Sequence, residues 1–105
     1  MQIRELDLKE LYEAYELVSI LYDITYEEFE DLIYEMKDSY KMLGIFDKNT
    51  LLAYAGIKIL TTLKDKRHIR VFDIIAKDDK SLSELKSYIQ DYAKISMAQK
   101  VIYEN

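Results

Sequence analysis

Hydrophobic residues recur at helical spacing in the first third of the chain. From Leu8 to about Tyr22, apolar and aromatic positions lie three or four residues apart, which predicts one amphipathic helix. Asp7 and Glu10 stand at the spacing of a capping box, which marks the start of such a helix. The segment before it, MQIREL, is typical of a short strand.

A second helix is predicted from Tyr26 to Lys37. Thr25 and Glu28 form another capping-box pattern at its start. Its apolar positions share one face and its other positions are mostly acidic, as expected for a helix that packs on a core with its outer side in solvent. The apolar positions are Phe29, Leu32, Ile33 and Met36.

The pattern changes after residue 38, where apolar residues alternate or run continuously, as they do in strands. Turn-forming residues at 47–50 and 64–67 separate three such runs, so consecutive strands are expected to pair as hairpins. Asn49 is expected to adopt a left-handed backbone conformation in the first turn. The three strands are predicted at residues 39–47, 51–63 and 68–76.

A third helix follows the last of these strands. Ser81 and Glu84 predict its start as a third capping box. Residues 100–105 are expected to form a final strand, parallel to the strand before the helix because a crossover connects the two. The order β-α-α-β-β-β-α-β predicts a single α+β domain, residues 1–105, with helices on both faces of a mixed, mainly antiparallel sheet.

Composition excludes several kinds of site. The chain of 105 residues has no cysteine and one histidine, His68, so no disulfide, thiolate nucleophile or metal site is expected. Its net charge of −5 argues against nucleic-acid binding. No apolar run resembles a membrane span or a signal peptide, so a cytoplasmic protein without membrane association is expected. His68, beside Arg67 and Arg70, is expected to lie exposed at a turn.

Charge is unevenly distributed along the chain. Residues 1–38 carry 12 acidic and 3 basic side chains, whereas residues 39–105 carry 8 acidic and 12 basic ones. The basic part could receive an anionic ligand or an acidic partner, and the acidic helices could attract a polyamine or a basic peptide. In the alternative interpretation, which the sequence favours, both the acidic and the basic side chains simply form solvated outer surfaces.

Four segments resemble the GNAT superfamily of N-acetyltransferases, in the order in which that fold uses them. MQIRELDLKELYEAYEL resembles its opening strand and helix, and GIFDKNTLLAYAGIKI resembles its second and third strands. RVFDIIAKDD resembles its fourth strand, and ELKSYIQDYAKISMAQKVIYEN resembles the next helix and the fifth strand. The resemblance implies a short or degenerate member that lacks the usual C-terminal helix and two strands. It also implies transfer of acetyl from acetyl-CoA to an amine.

The resemblance makes Asp73 the candidate catalytic base. On a regular strand, its side chain would share the face of Ile69 and Val71, an apolar setting. In the alternative interpretation Asp73 has a structural role, either paired with Lys58 or Arg70 or placed at a local bulge.

Coenzyme contacts are implied at the end of the same strand and in the following loop. The backbone of Ile74, Ile75 and Ala76 would line the pantetheine arm and polarise the thioester, with simple sheet pairing as the alternative. In the superfamily the loop reads Arg/Gln-x-x-Gly-x-Gly/Ala, and its backbone N–H groups hold the diphosphate. In this chain the phosphate contacts would come from Lys77, Lys80 and Ser81.

The loop AKDDKSLS departs from that pattern because it has no glycine. Aligned back from Leu85, Lys77 stands at the arginine position and Lys80 and Leu82 stand where glycines belong, whereas alignment forward from the strand implies a shortened loop. Neither alignment restores a glycine, so side chains would oppose close approach of the diphosphate. Asp78 and Asp79 would repel it. Two functions are therefore open: an active acetyltransferase, or a GNAT-like module that has lost catalysis.

The two functions differ in their expected partners. An acetyltransferase would accept a small-molecule or peptide amine and would need acetyl-CoA but no metal, with Asp73 as base and Tyr103 as a second candidate catalytic residue. A binding or dimerisation module would instead expose its final strand as a sheet edge, through which two copies pair as a homodimer.

Overall fold

The computed structural model describes residues 1–104, in which five strands form one sheet and three α-helices pack against it. The α+β class and the predicted element order are confirmed, and Asn105, in the predicted final strand, lies outside the described residues. The strands are β1 (Gln2–Glu5), β2 (Lys41–Asp47), β3 (Thr50–Thr62), β4 (Lys66–Ala76) and β5 (Val101–Tyr103). The helices are α1 (Leu11–Leu21), α2 (Tyr26–Met36) and α3 (Asp79–Ile95).

The strands follow one another across the sheet in the order β1-β2-β3-β4-β5. The first four pair antiparallel, and β5 pairs parallel with β4, as the crossover through α3 requires. β5 pairs only with the first half of β4, where Ile69 lies opposite Val101 and Val71 lies opposite Tyr103. The second half of β4, residues 73–76, pairs with β3 alone among residues 1–104.

Each face of the sheet has its own apolar core. On one face, α1 and α2 cover a cluster that includes Phe29 and Tyr54. On the other face, α3 covers a cluster that includes Val71 and Ile89. Helices on both faces of the sheet are therefore confirmed. No helix within the described part of the chain is long and apolar enough to cross a membrane.

Predicted capping boxes begin the first two helical segments. Asp7 and Glu10 form one, but it starts a single 3₁₀ turn, Leu8–Glu10, that leads into α1. Thr25 and Glu28 form the other, at the start of α2. There, the Thr25 hydroxyl accepts the backbone N–H of Glu28, and the Glu28 carboxylate accepts the backbone N–H of Thr25.

Helix α3 begins earlier than the sequence indicated. The capping box predicted for Ser81 and Glu84 is wrong, because the carboxylate of Asp78 accepts the backbone N–H of Ser81 at 2.7 Å and caps the helix instead. That hydrogen bond lowers the pKa of Asp78. The cap therefore stabilises α3 at neutral pH, and its contribution is lost as the pH falls through the lowered folded-state pKa.

The β2–β3 hairpin also differs in one detail. Lys48, and not Asn49, has the left-handed conformation, with φ of 59°. Asp47 and Thr50 pair directly across the hairpin, which leaves a turn of two residues, and the first of them takes the left-handed position.

Replacing Thr25 with alanine should lower the free energy of unfolding by about 1 kcal/mol, because the first turn of α2 loses its side-chain acceptor. Chemical denaturation of the purified protein measures the change. Thr25→Ser keeps the hydroxyl and is the matched control, which should cost much less. Equal losses in the two variants would mean that the cap does not set the stability of α2.

Candidate active site

One extra residue in β4 decides which side chains reach each face of the sheet. Ile57 of β3 lies opposite Val71. Gly56, its neighbour, lies opposite Asp73, which leaves Phe72 as an additional residue in a β-bulge. Val71 therefore faces α3, whereas Asp73 faces α1 and α2. The expectation that Asp73 shares the face of Val71 on a regular strand is wrong, and the alternative of a local bulge is confirmed.

Tyrosine hydroxyls hold the carboxylate of Asp73. Tyr22, at the end of α1, donates to Oδ1, and Tyr40, just before β2, donates to Oδ2 at 2.6 Å. The hydroxyl of Tyr40 also lies 2.8 Å from that of Tyr54, a fully buried residue of β3. Tyrosines, and not the strand base Lys58, are thus the partners of Asp73. The hydrogen bonds form a chain from the core to the carboxylate.

The three phenols stay protonated well above neutral pH. The hydrogen bond to Asp73 raises the pKa of Tyr22 to about 12, and burial adds to the effect. Burial also raises the pKa of Tyr40 and of Tyr54. Protonated phenols therefore stabilise the folded state below their unfolded pKa of about 10, and this stabilisation is lost as the pH rises through the folded values.

Gly56 makes room for Tyr40. A Cβ atom at Gly56 would overlap the hydroxyl oxygen and two ring carbons of Tyr40. Gly56 lies directly opposite Asp73 in the sheet. The lack of a side chain at Gly56 therefore lets the Tyr40 ring lie against the backbone and reach the carboxylate, as glycines inside strands often do for a closely approaching group.

A cavity of about 200 Å³ borders Asp73 on the α1–α2 side. Asp73, Tyr22 and Tyr40 form its polar end, and Asp73 is the only charged residue in its lining within the described chain. The remaining walls are apolar and come from α1, the connection to α2, and α2 itself. They are Val18, Ile24, Phe29, Leu32, Ile33 and Met36.

Backbone groups of β4 face an open edge beyond the bulge. Lys77 donates its N–H to the carbonyl of Leu52 in β3, at 2.9 Å. Because N–H groups alternate in direction along an antiparallel ladder, those of Ile74 and Ala76 point away from β3, towards the outer edge. Within residues 1–104, pairing between β4 and β5 ends before these residues, so these two N–H groups have no strand partner on their outer side.

Ion pairs connect the residues that flank β5 to the β3–β4 hairpin. The Nζ atom of Lys100 lies 2.7 Å from Oδ1 of Asp65, and the Nε atom of Arg70 lies 3.1 Å from Oε1 of Glu104. The alternative in which Arg70 pairs with Asp73 is wrong, because the guanidinium turns towards the strand end at Glu104.

The corner between β4 and α3 carries charges of both signs. Lys77, Asp78 and Lys80 are exposed, whereas Ser81 is only 2% exposed. The N-terminus of a helix attracts anions, and the Asp78 carboxylate already occupies that position through the N–H of Ser81. An incoming phosphate would therefore meet a negative charge there, flanked by two lysines.

Similar folds occur among solved acetyltransferase structures. A GNAT family acetyltransferase from Staphylococcus aureus has a TM-score of 0.86 and 11% identity, covering 99% of this chain and 85% of that chain. An Arabidopsis thaliana glucosamine-6-phosphate N-acetyltransferase has a TM-score of 0.76 and 18% identity, covering 99% and 81%. An aminoglycoside N-acetyltransferase in complex with CoA has a TM-score of 0.81 and 10% identity, covering 99% and 76%. The chain has the GNAT fold.

The GNAT fold expected from the sequence is thus confirmed by structure. At the level of sequence, no protein-family model matches the chain, and no curated protein is significantly similar to it. The likeness therefore concerns the arrangement of the elements, and the chemistry has to be argued from the residues of this chain.

Tyr103 lies on the other side of the sheet from Asp73. Its ring packs in the cluster beneath α3, with the Nζ atom of Lys86 5.4 Å from the ring centre. The GNAT fold in this chain thus does not bring Tyr103 to the carboxylate, whereas Tyr54 is connected to it through Tyr40.

His68 is fully buried, and the expectation of an exposed histidine at a turn is wrong. Strand β4 begins at Lys66, two residues earlier than predicted, so His68 lies inside the sheet, opposite Leu60. Its Nδ1 atom donates to the carbonyl of Lys66 at 2.8 Å. The His68 ring therefore lies in the β3–β4 hairpin, away from the bulge at Phe72 and from Asp73.

Sequence patterns did not identify Tyr22 and Tyr40 as neighbours of Asp73. Tyr22 fits the aromatic face of a helix, and Tyr40 falls near the start of a predicted strand. Gly56 was the one available signal, because a glycine inside a strand often marks the close approach of another group. The pattern cannot say which group approaches.

Replacing Gly56 with alanine should lower the free energy of unfolding by about 1–3 kcal/mol, because the added methyl group must push Tyr40 away from Asp73. Chemical denaturation of Gly56→Ala, Tyr40→Ala and the double variant measures the coupling. The two losses should be strongly non-additive, since removing the ring removes the overlap. Additive losses would mean that the destabilisation of Gly56→Ala does not come from its contact with Tyr40. Gly44→Ala is the control, because its Cβ would meet the side-chain ends of Leu51 and Leu6, so its loss should be additive with that of Tyr40→Ala.

Proposed function

We propose that the protein transfers an acetyl group from acetyl-CoA to an amine. The observation that carries the proposal is the bulge at Phe72, which places the carboxylate of Asp73 next to the outward N–H of Ile74 at the open β4–β5 edge. A carboxylate beside fixed backbone donors suits proton removal from an amine and polarisation of a carbonyl. The fold supports the proposal, since its structural neighbours include N-acetyltransferases, one of them solved with CoA.

Acetyl-CoA would supply the acetyl group as an activated thioester. The N–H groups of Ile74 and Ala76 point to the open edge and suit the pantetheine arm and the thioester carbonyl. Ile75 contributes no N–H there, because the alternation of the ladder directs its N–H towards β3. The donors belong to the backbone and are held by the sheet, so they require no particular side chain.

Asp73 is the residue that would take the proton of the acceptor. An amine is protonated near neutral pH and must lose a proton before its nitrogen attacks. One proton passes to Asp73, and the C–N bond forms as the C–S bond breaks. The second proton of the attacking nitrogen passes through water to the released thiolate of coenzyme A. Tyr22 and Tyr40 act as positioning residues, since each holds one oxygen of the carboxylate.

Lysine side chains would hold the diphosphate. Asp78 already binds the N–H of Ser81, so the end of α3 offers fewer free backbone donors than a glycine-containing loop would. The exposed ammonium groups of Lys77 and Lys80 supply positive charge at the same corner. Ser81, which the sequence suggested as a phosphate contact, is only 2% exposed, so its side chain is not among the proposed phosphate contacts.

Acetyl-CoA should bind the purified protein and raise its melting temperature. A ligand at a hundredfold excess over its dissociation constant stabilises a protein by ~2.7 kcal/mol, which is roughly 10 °C for a domain of this size. The double variant Lys77→Glu with Lys80→Glu should lose the shift. Asp78→Asn should bind more tightly, because asparagine still caps the helix but carries no charge. No shift at millimolar coenzyme would contradict the proposal.

Asp73→Asn should lower kcat by about 10²–10⁴-fold, because the amide cannot accept the proton of the amine. The loss should shrink as the pH rises, since more of the amine is then already deprotonated. Release of free thiol from acetyl-CoA measures the rate. Asp91→Asn removes an exposed carboxylate from α3 and is the control, which should retain the native rate. An unchanged kcat in Asp73→Asn would remove this residue from proton transfer.

The cap on α3 favours a second candidate function, a GNAT-like module that binds a partner without catalysis. A negative charge at the phosphate position disfavours the coenzyme. Within the described residues, β5 is an edge strand, and edge strands can pair between copies. A homodimer in sedimentation that is disrupted by Ile102→Pro, in a protein that binds no acetyl-CoA, would favour this second function.

A further inference from the structure

We propose that the cavity beside Asp73 takes the apolar body of a small primary monoamine, whose ammonium group pairs with the carboxylate. The inference rests on the proposed function, because it names the class of amine that would receive the acetyl group. A compact alkylamine is thereby favoured over a polyamine or a sugar amine.

The walls of the cavity favour a hydrocarbon body. Val18 of α1 and Phe29 of α2 are each 4% exposed, so the inner wall belongs to the packed core and its shape is fixed. A hydrocarbon that leaves water for such a wall is stabilised in proportion to the area it buries. The hydroxyl groups of a sugar would lie against the same wall without hydrogen-bond partners, which is unfavourable.

The polar end of the cavity fits one ammonium group. Tyr22 and Tyr40 each donate to a different oxygen of Asp73. A carboxylate has about four acceptor positions, so both oxygens can still accept from an ammonium group. No other charged side chain lines the cavity in residues 1–104. A second ammonium group on the ligand would therefore lie in an apolar setting without a counter-charge.

The size and the mouth of the cavity fit a small ligand. Its volume of about 200 Å³ lies below the roughly 300–1,000 Å³ of sites that bind drug-sized molecules. Tyr22 and Leu32 are 39% and 45% exposed, so they mark the mouth between the end of α1 and α2. Residues 1–38, which include both helices, carry 12 acidic and 3 basic side chains. The net negative charge of this segment raises the concentration of cations near the mouth of the cavity.

Amine binding to the whole chain, in the absence of coenzyme, tests the inference. Isopentylamine is titrated into protein with labelled tyrosine rings and followed by NMR, with isopentanol as the uncharged isostere and spermidine as the polyamine. Isopentylamine should bind at least tenfold more tightly than either. Asp73→Asn should weaken isopentylamine binding at least tenfold and should change isopentanol binding little. Equal affinities for isopentylamine and spermidine would overturn the inference.

Two variants separate the cavity from the acidic surface around it. Leu32→Trp fills the mouth and should weaken isopentylamine binding, while circular dichroism confirms that the fold persists. Glu35→Gln removes a carboxylate of α2 outside the cavity lining and should change the affinity less than twofold. Equal losses in Glu35→Gln and Asp73→Asn would show that surface charge attracts the amine, and would overturn the inference.

Separate titration with acetyl-CoA distinguishes failure of the cavity assignment from failure of the proposed acetyl transfer. Isopentylamine binding that depends on Asp73, in a protein that binds no acetyl-CoA, would overturn acetyl transfer and support the cavity as an amine site. Acetyl-CoA binding with no preference for isopentylamine over isopentanol would overturn the assignment of the cavity and leave acetyl transfer standing.

Discussion

The β-bulge at Phe72 sets the direction of every side chain in the second half of β4. One additional residue reverses the alternation, so Val71 packs beneath α3 while Asp73 turns to α1 and α2. Without it, the carboxylate would lie in the apolar core under α3, away from Tyr22 and Tyr40. Gly56 lies opposite Asp73, and any side chain there would displace Tyr40 and leave one carboxylate oxygen without its donor. Bulge, glycine and tyrosine therefore form one unit.

The open edge of β4 depends on where β5 is held. Within residues 1–104, backbone pairing between β5 and β4 ends where the N–H of Glu104 donates to the carbonyl of Val71, at 2.9 Å, directly before the bulge. The ion pair of Lys100 with Asp65, whose side chain is 12% exposed, fixes the other end of β5 to the hairpin. Within residues 1–104, the unpaired outer side of β4 thus begins at the bulge.

Periodicity was sufficient to predict the elements, because each helix has a continuous apolar face and each strand an apolar run between turns. The site was harder, since a bulge adds one residue to a strand that otherwise has the same composition. The start of α3 was misplaced because Asp78 and Ser81 are both good caps, and only the fold shows that the Asp78 carboxylate is the acceptor of a backbone N–H. The contact of Tyr40 with Asp73 joins residues far apart in sequence, and no local pattern encodes such a contact.

The two ends of the proposed coenzyme site are subject to different constraints. At the thioester end, the donors are backbone N–H groups of β4 whose direction follows from pairing with β3, so changes of side chain barely affect them. At the diphosphate end, contacts remote from the reacting atoms depend on the loop sequence. In this loop the Asp78 carboxylate already accepts a backbone N–H at the N-terminus of α3. Remote contacts that are equal in the ground state and the transition state change affinity more than the rate of the bound complex. The loop without glycine would therefore weaken coenzyme binding more than it would affect the proposed reaction at Asp73.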